Sequence, residues 1–310
     1  MRDAFITTLE EEAEKDKRIV VLTADMGFSV LEKFQEKFPG RFFNMGISEQ
    51  NMMGVAAGLA LTGKKVFIYS MIPFVTFRCL EQIRNDICYH DLAVVIVGVG
   101  SGVSYGTLGF SHHAIEDLGV LKSISNITIL APSDPYEVRQ LVKECVGYPH
   151  PVYMRLGKNK EMTFHKKGDK IRIGRANYLS RGEDIALVTF GNIMDEVVDV
   201  HARLKDLGHN ASIVSTPSIK PIDEKFFMRL FGSHKHIFII EEHNKIGGLG
   251  DTLFSLNKNN KCKNVFTHIA IDDTFVTEVG GKKHIRKTLG LDAHTILKKV
   301  LYVLNHRTGR

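Results

Sequence analysis

The chain has 310 residues, of which 44% are hydrophobic and 25% charged, a balance that reads as a soluble globular protein of about two ordinary domains. Its net charge of +6 is scattered through short loop clusters (158–160, 166–167, 258–263), with no basic stripe interleaved with aromatics, which argues against nucleic-acid binding. No apolar run approaches the ~18 residues of a membrane-spanning helix, and the acidic start around Asp3 lacks a signal-peptide core, so a cytoplasmic protein is expected.

Taken in order, residues 1–17 place Ala4, Phe5, Leu9 and Ala13 at helical spacing. An apolar run, 19–25, then reads as a strand buried on both faces. Further strands are predicted at 65–70, 93–99, 127–132 and 152–155. Helices are predicted at 77–88 and 135–147, the latter with Pro135 suited to its first turn. Residues 158–183 are polar and read as a linker between domain one, 1–157, and domain two, 184–310. Domain two repeats the alternation. Strands are expected at 185–190, 211–215, 236–241 and 265–271, with helices at 194–207, 224–231, 249–256 and 293–304. Alternating strands and helices predict two consecutive three-layer α/β domains with mainly parallel sheets. Cys79, Cys88, Cys145 and Cys262 show no metal or redox spacing and read as buried thiols.

One stretch stands apart. Asn44-Met45-Gly46-Ile47-Ser48-Glu49-Gln50-Asn51 runs into a segment of small and apolar residues. Ser48 suits an N-cap and Gly63 a stop, which predicts a buried helix over 49–62 with a carboxylate in its first turn. Such a carboxylate is either a capping group or a catalytic one, and helix physics alone favours capping.

Ligands collect at the carboxyl ends of parallel strands. That rule selects 25–29, the loop after Ser70, the long glycine-rich loop 98–116, and Arg155. The glycine loop gives GxGxG without a following lysine, so a phosphate cradle is disfavoured. Within it, His112 and His113 precede Glu116. A proton-transfer or hydrogen-bonding role for one histidine outranks metal binding, because the third ligand is poorly placed. Gly109-Phe110-Ser111-His112-His113 lacks the last glycine of a hydrolase elbow. Glu241-Glu242-His243 with the glycines at 247–250 reads as structural.

Asn44-Met45-Gly46-Ile47-Ser48-Glu49-Gln50, and Gly109-Phe110-Ser111-His112-His113 leading to Ala131-Pro132-Ser133-Asp134, together resemble the transketolase family of thiamine-diphosphate enzymes. The match is to the pyrimidine-binding domain and the domain after it, as in the small subunit of a split transketolase. It covers nearly the whole chain. In that family the glutamate matching Glu49 hydrogen-bonds N1′ of the cofactor's aminopyrimidine and activates it. The resemblance therefore implies a catalytic Glu49 and turns the capping reading around. Phe74, or alternatively Phe77, matches the aromatic that stacks on the pyrimidine. Asp25 matches a residue near the thiazolium, Ser29 and Arg155 match contacts to substrate phosphate, and His112 matches a histidine that polarises substrate oxygens.

The sequence departs from the family at two places. A family histidine aligns near Gly100, and a family aspartate that reads a substrate hydroxyl aligns near Leu108. Both departures imply a specialised sugar. The family's Gly-Asp-Gly site for diphosphate and Mg²⁺ has no counterpart, since Gly250-Asp251-Thr252 does not fit it. The resemblance thus implies thiamine diphosphate and Mg²⁺ held mainly by a large partner subunit, in an α2β2 heterotetramer, with residues 54–60 packing between subunits. The expected reaction is transfer of a two-carbon ketol unit between sugars. Rival readings are a 2-oxo acid dehydrogenase beta subunit, a deoxyxylulose-phosphate synthase, and a non-catalytic subunit.

Overall fold

In the computed structural model, which describes residues 1–158 and 161–306, two sheets carry the chain. Lys160 of the 158–160 cluster lies outside the described residues. The first sheet has the order β10-β5-β6-β4-β3-β1-β2. Its strands are β1 (Ile19–Thr23), β2 (Phe42–Asn44), β3 (Lys65–Met71), β4 (Val94–Val99), β5 (Thr128–Leu130), β6 (Val152–Leu156) and β10 (Ser218–Lys220). All pairs are parallel except β10 against β5. The second sheet, β12-β11-β8-β9-β7, holds β7 (Asn177–Ser180), β8 (Ile185–Thr189), β9 (Ala211–Ser215), β11 (His236–Asn244) and β12 (Val265–Ile271). Only β7 runs antiparallel, beside β9.

The central strands are buried on both faces, which is why their sequences are continuous Val/Ile runs rather than alternations. On one face of the first sheet α1 (Arg2–Lys15) packs with the helix Pro135–Gly147 around Phe5, Leu9, Leu141 and Val142. On the other face a core runs without interruption from Met52 and Ile83 to Phe227 and Ile237, so it joins the domains.

Several short elements were not expected. They are α2 (Glu32–Lys37), β2, β7, β10 and the helix Lys282–Thr288. The 158–183 segment, read as a linker, ends in β7 and so belongs partly to the second sheet. Strand β10 comes from the second half of the chain yet extends the first sheet. The helix expected over 77–88 is broken. Pro73 starts α4 (Ile72–Thr76) early, a short turn Leu80–Gln82 follows, and Ile83–Cys88 is a wider π-helix.

A buried polar cluster fastens the seam between the domains. Asp134 caps the helix 135–147 by accepting from the Glu137 amide at 2.7 Å, and also accepts from the Phe164 and His165 amides at 2.8 Å. Ser215 Oγ, from the other sheet, donates to Glu137 at 2.7 Å. Burial pushes the Glu137 carboxyl up to about 7. Burial alone would pull the His165 imidazole down, but its bond to Asp134 and the charge of Glu137 leave it raised. Both groups therefore hold protons more tightly when folded, and the stability they contribute is present in acid and lost as pH climbs. For Glu137 the loss runs from its ordinary 4.5 to about 7, and for His165 it begins at 6.5. Asp134, held low, titrates below this window. Guanidinium unfolding is expected to show the chain less stable at pH 8 than at pH 5 by on the order of 1–3 kcal/mol from this cluster. Glu137→Gln should flatten that slope, and an unchanged slope in the variant would assign it elsewhere.

Candidate active site

The helix α3 (Glu49–Leu61) begins on the expected residue and ends one residue early, with Gly63 at φ +84° just beyond. Ser48 occupies the N-cap, but its side chain makes no capping bond. The helix is also not buried all round. Met52, Met53, Ala56 and Ala57 face the core, whereas Gly54 and Gly58 are exposed with open space beside them. Glu49, in contrast, is only 3% exposed.

The chain entering α3 is pinned to the end of β1. The Met45 amide donates to the Thr23 carbonyl at 2.8 Å. Asn44 Oδ1 accepts from the Asp25 amide at 2.9 Å and from the Gly46 amide at 3.0 Å. Asp25 is thereby tied to the Glu49 segment. Asp25 and Ser29 both sit in the left-handed region, at φ +49° and +62°, a conformation that non-glycine residues hold only where the surroundings impose it. Both are exposed, and the Ser29 amide donates to Glu32.

Phe74 and Arg78 are four residues apart and so share one side of α4 and the turn that follows. The Arg78 guanidinium lies 4.7 Å over the Phe74 ring and donates to Glu49 Oε2 at 2.7 Å. His112 meets the same Phe74 ring edge-on at 5.3 Å. Its Nδ1 lies 3.0 Å from Ser111 Oγ, and burial holds its pKa below the ordinary range, favouring the neutral imidazole. Glu49, Arg78, Phe74 and His112 thus form one contiguous group. The sequence reading missed Arg78, although its spacing from Phe74 carries the signal. Phe77 is 38% exposed and faces a cavity that Ser111 and His113 also line, whereas Phe74 lies against the Arg78–Glu49 pair.

Arg155 does not reach this group as a free cation. It is 2% exposed, and its Nε donates to Asp117 at 3.0 Å while Nη2 donates to the carbonyls of Ala114 and Glu242. Nε and Nη2 are thus held inside the protein, and the substrate-phosphate contact that the resemblance implies for Arg155 stays an expectation. A side chain at Gly100, which has φ +99°, would fall 2.3 Å from the Tyr105 ring. Tyr105 thus occupies the room the aligned histidine would need. Its ring lies 6.2 Å from His112 and carries Lys158 Nζ 4.2 Å above it. Leu108 is 49% exposed. Among the described residues no group of three His, Cys, Asp or Glu side chains is placed to hold a metal ion.

Residues 1–162 match the model of the transketolase pyrimidine-binding domain, and residues 174–296 that of the transketolase C-terminal domain. The chain belongs to the transketolase family. It is 35% identical over 302 residues to one of the subunits of the apulose-4-phosphate transketolase of Actinobacillus succinogenes, covering 97% of this chain and 96% of that protein. It is 30% identical over 311 residues to the 6-deoxy-6-sulfo-D-fructose transketolase subunit SqwH of Clostridium sp. (strain MSTE9), covering 100% and 96% respectively. A solved split-gene transketolase, described as an inactive beta4 tetramer, superposes with a TM-score of 0.88 at 32% identity. That superposition covers 98% of this chain and 97% of the other.

The transketolase cofactor can be tested against these side chains. A carboxylate withdrawn from solvent beside a half-buried aromatic ring fits the aminopyrimidine end, which needs one acidic partner and one stacking face. The diphosphate end and its metal find no matching cluster among the described residues. No helix among them is long and apolar enough to cross a membrane.

Proposed function

We propose that this chain is the small subunit of a thiamine-diphosphate-dependent transketolase, transferring a two-carbon ketol unit between sugars bearing an anionic group. The observation that carries the reading is the buried Glu49 carboxylate grouped with Phe74, Arg78 and His112. Thiamine diphosphate, when bound, supplies the carbon nucleophile that accepts the ketol unit. Glu49 would hold a proton against the pyrimidine ring, Phe74 would set the ring's plane, and Arg78 would keep the Glu49 carboxylate in place. Asp25 would stand near the far end of the cofactor. Neutral His112 would donate to a substrate oxygen.

A partner subunit would supply the sites for diphosphate and Mg²⁺. Two relatives of matching length, the apulose-4-phosphate and the sulfofructose proteins, are each named as one subunit of a transketolase, which supports this. The exposed Gly54 and Gly58 on α3 give a second backbone room to approach. The decisive experiment mixes this chain with a diphosphate-binding partner, thiamine diphosphate and Mg²⁺ and follows ketol transfer from a ketose phosphate. Full activity of this chain alone would overturn the two-chain arrangement.

With Nε and Nη2 of Arg155 held inside the protein, Lys158 and Ser29 are proposed to meet the anionic end of the substrate. Lys158 is half-buried and held over Tyr105 at the rim near His112. In the assembled enzyme, Lys158→Ala is expected to raise KM for a phosphorylated sugar about tenfold with little change in kcat, the signature of lost uniform binding. Steady-state kinetics would measure it, and an equal loss in kcat would place Lys158 in the chemical step instead.

A further inference from the structure

A second cavity, of about 400 Å³, lies where loop 98–116 meets residues 275–276 of the second domain. Pro73 and Phe77 face it from α4 and the turn after it, and Phe110, Phe275, Ile115 and Val276 complete a largely apolar wall. Phe110 and Phe275 meet nearly edge-on at 6.3 Å and are both well exposed, so they form its rim.

Ser111, His113 and Glu116 are the polar residues of the wall, and His113 stands apart from the other two. His113 is 3% exposed, and neither of its ring nitrogens has a hydrogen-bond partner. A buried polar group left unpaired costs about 1–3 kcal/mol, so its persistence at a cavity wall calls for a partner that comes from outside. Within the protein the nearest acid cannot serve. Glu242 is close enough to act on His113 by its charge, but both its oxygens are held by Arg286 at 3.0 Å. Burial lowers the His113 pKa in spite of that charge, leaving a neutral imidazole with one donor and one acceptor. Glu116 on the wall and Glu242 behind His113 disfavour an anionic guest, and the mainly apolar lining makes any charged guest costly to desolvate.

We propose that this cavity is a small-molecule site for an uncharged aromatic ligand whose hydroxyl group pairs with His113. Three phenylalanines offer edges and faces to such a ring, and a hydroxyl can donate to or accept from whichever His113 ring nitrogen faces the cavity, since it can play either role. The proposal is independent of the transketolase reading, and its test involves no catalysis.

Phenol is the probe and toluene its control of equal shape. In the full chain labelled with ¹³C-histidine, phenol at millimolar concentration is expected to shift the His113 ring resonance saturably. It should bind at least about tenfold more tightly than toluene, because a built polar site rejects a guest that leaves it unpaired. His113→Phe should abolish the preference while keeping the wall aromatic. Phe275→Ala, at the exposed rim, should weaken phenol several-fold without touching the core, and it serves if His113→Phe does not fold. An unmoved His113 resonance, or equal binding of phenol and toluene, would overturn the proposal.

Discussion

Glu49→Gln is expected to lower ketol transfer by the partner-loaded enzyme about 10²–10⁴-fold, the range that a positioned proton-transfer group supplies. The substitution keeps the side chain's shape and removes only its charge and its capacity to hold a proton. It should leave the fold almost untouched. Glu49 is buried, but the partner it would abandon, Arg78, has 46% of its side chain in solvent and can turn to water. Ion pairs with one partner that exposed are worth less than about 1 kcal/mol. Activity and stability are therefore expected to separate, with kcat collapsing and the guanidinium midpoint unchanged. Arg78→Met tests the same group from the other side. It frees the Glu49 carboxylate and removes the cation from the Phe74 ring, so a smaller loss is expected, on the order of tenfold. Activity of Glu49→Gln within threefold of the parent would remove the proton-holding role.

The helix that Glu49 opens was legible locally, whereas its catalytic reading came only from the family resemblance. A carboxylate opening a run of Met, Gly and Ala can be read from the sequence, and the helix it starts ended within one residue of expectation. The parallel sheets were equally legible, because strands buried on both faces, such as β4 and β8, are written as unbroken apolar runs. Elements that cover an edge carry no such run. β7 is half-buried throughout, and β10 has only three residues, so neither stood out from the loops around it. The surroundings of Arg155 were less legible, for a different reason. Its position at the end of β6 was read correctly, but its partner Asp117 lies 38 residues upstream, and the carbonyl of Glu242 comes from the other domain. Whether an arginine at a strand end meets solvent or an internal acid depends on how the domains close, which no local pattern records. The two phenylalanines, three residues apart, point different ways, Phe74 to the Glu49 group and Phe77 to a cavity that Phe275 and Val276 of the second domain help to line.

The largest loss of stability is expected from Arg286→Met. Arg286 is fully buried on the helix 282–288, and its guanidinium donates to Glu242 through Nε and Nη2, to Asp195 at 2.7 Å and to the Asn192 carbonyl at 2.9 Å. Burial works against its charge, yet Glu242 and Asp195 more than offset this and leave its pKa raised. Methionine fills similar space but strands the Glu242 carboxylate, itself 1% exposed. Breaking a buried pair from one side costs about 3–5 kcal/mol, which corresponds to a fall in Tm of roughly 10 °C for a chain of this size. The double variant Arg286→Met with Glu242→Gln should recover part of that loss, because the stranded charge is gone. A double variant no more stable than the single one would show that packing, not charge, is at stake. The damage should also reach the candidate site. Glu242 fills the space beside Gly102, where an added Cβ would come within 2.5 Å of its carboxyl carbon. Gly102 and Ala114 exchange backbone hydrogen bonds of 3.0 and 2.9 Å that close the neck of the loop bearing His112. A carboxylate seeking water at that neck would loosen the loop before the sheets, so ketol transfer in Arg286→Met should fail at a lower temperature than global unfolding, measured by activity and circular dichroism on the same sample.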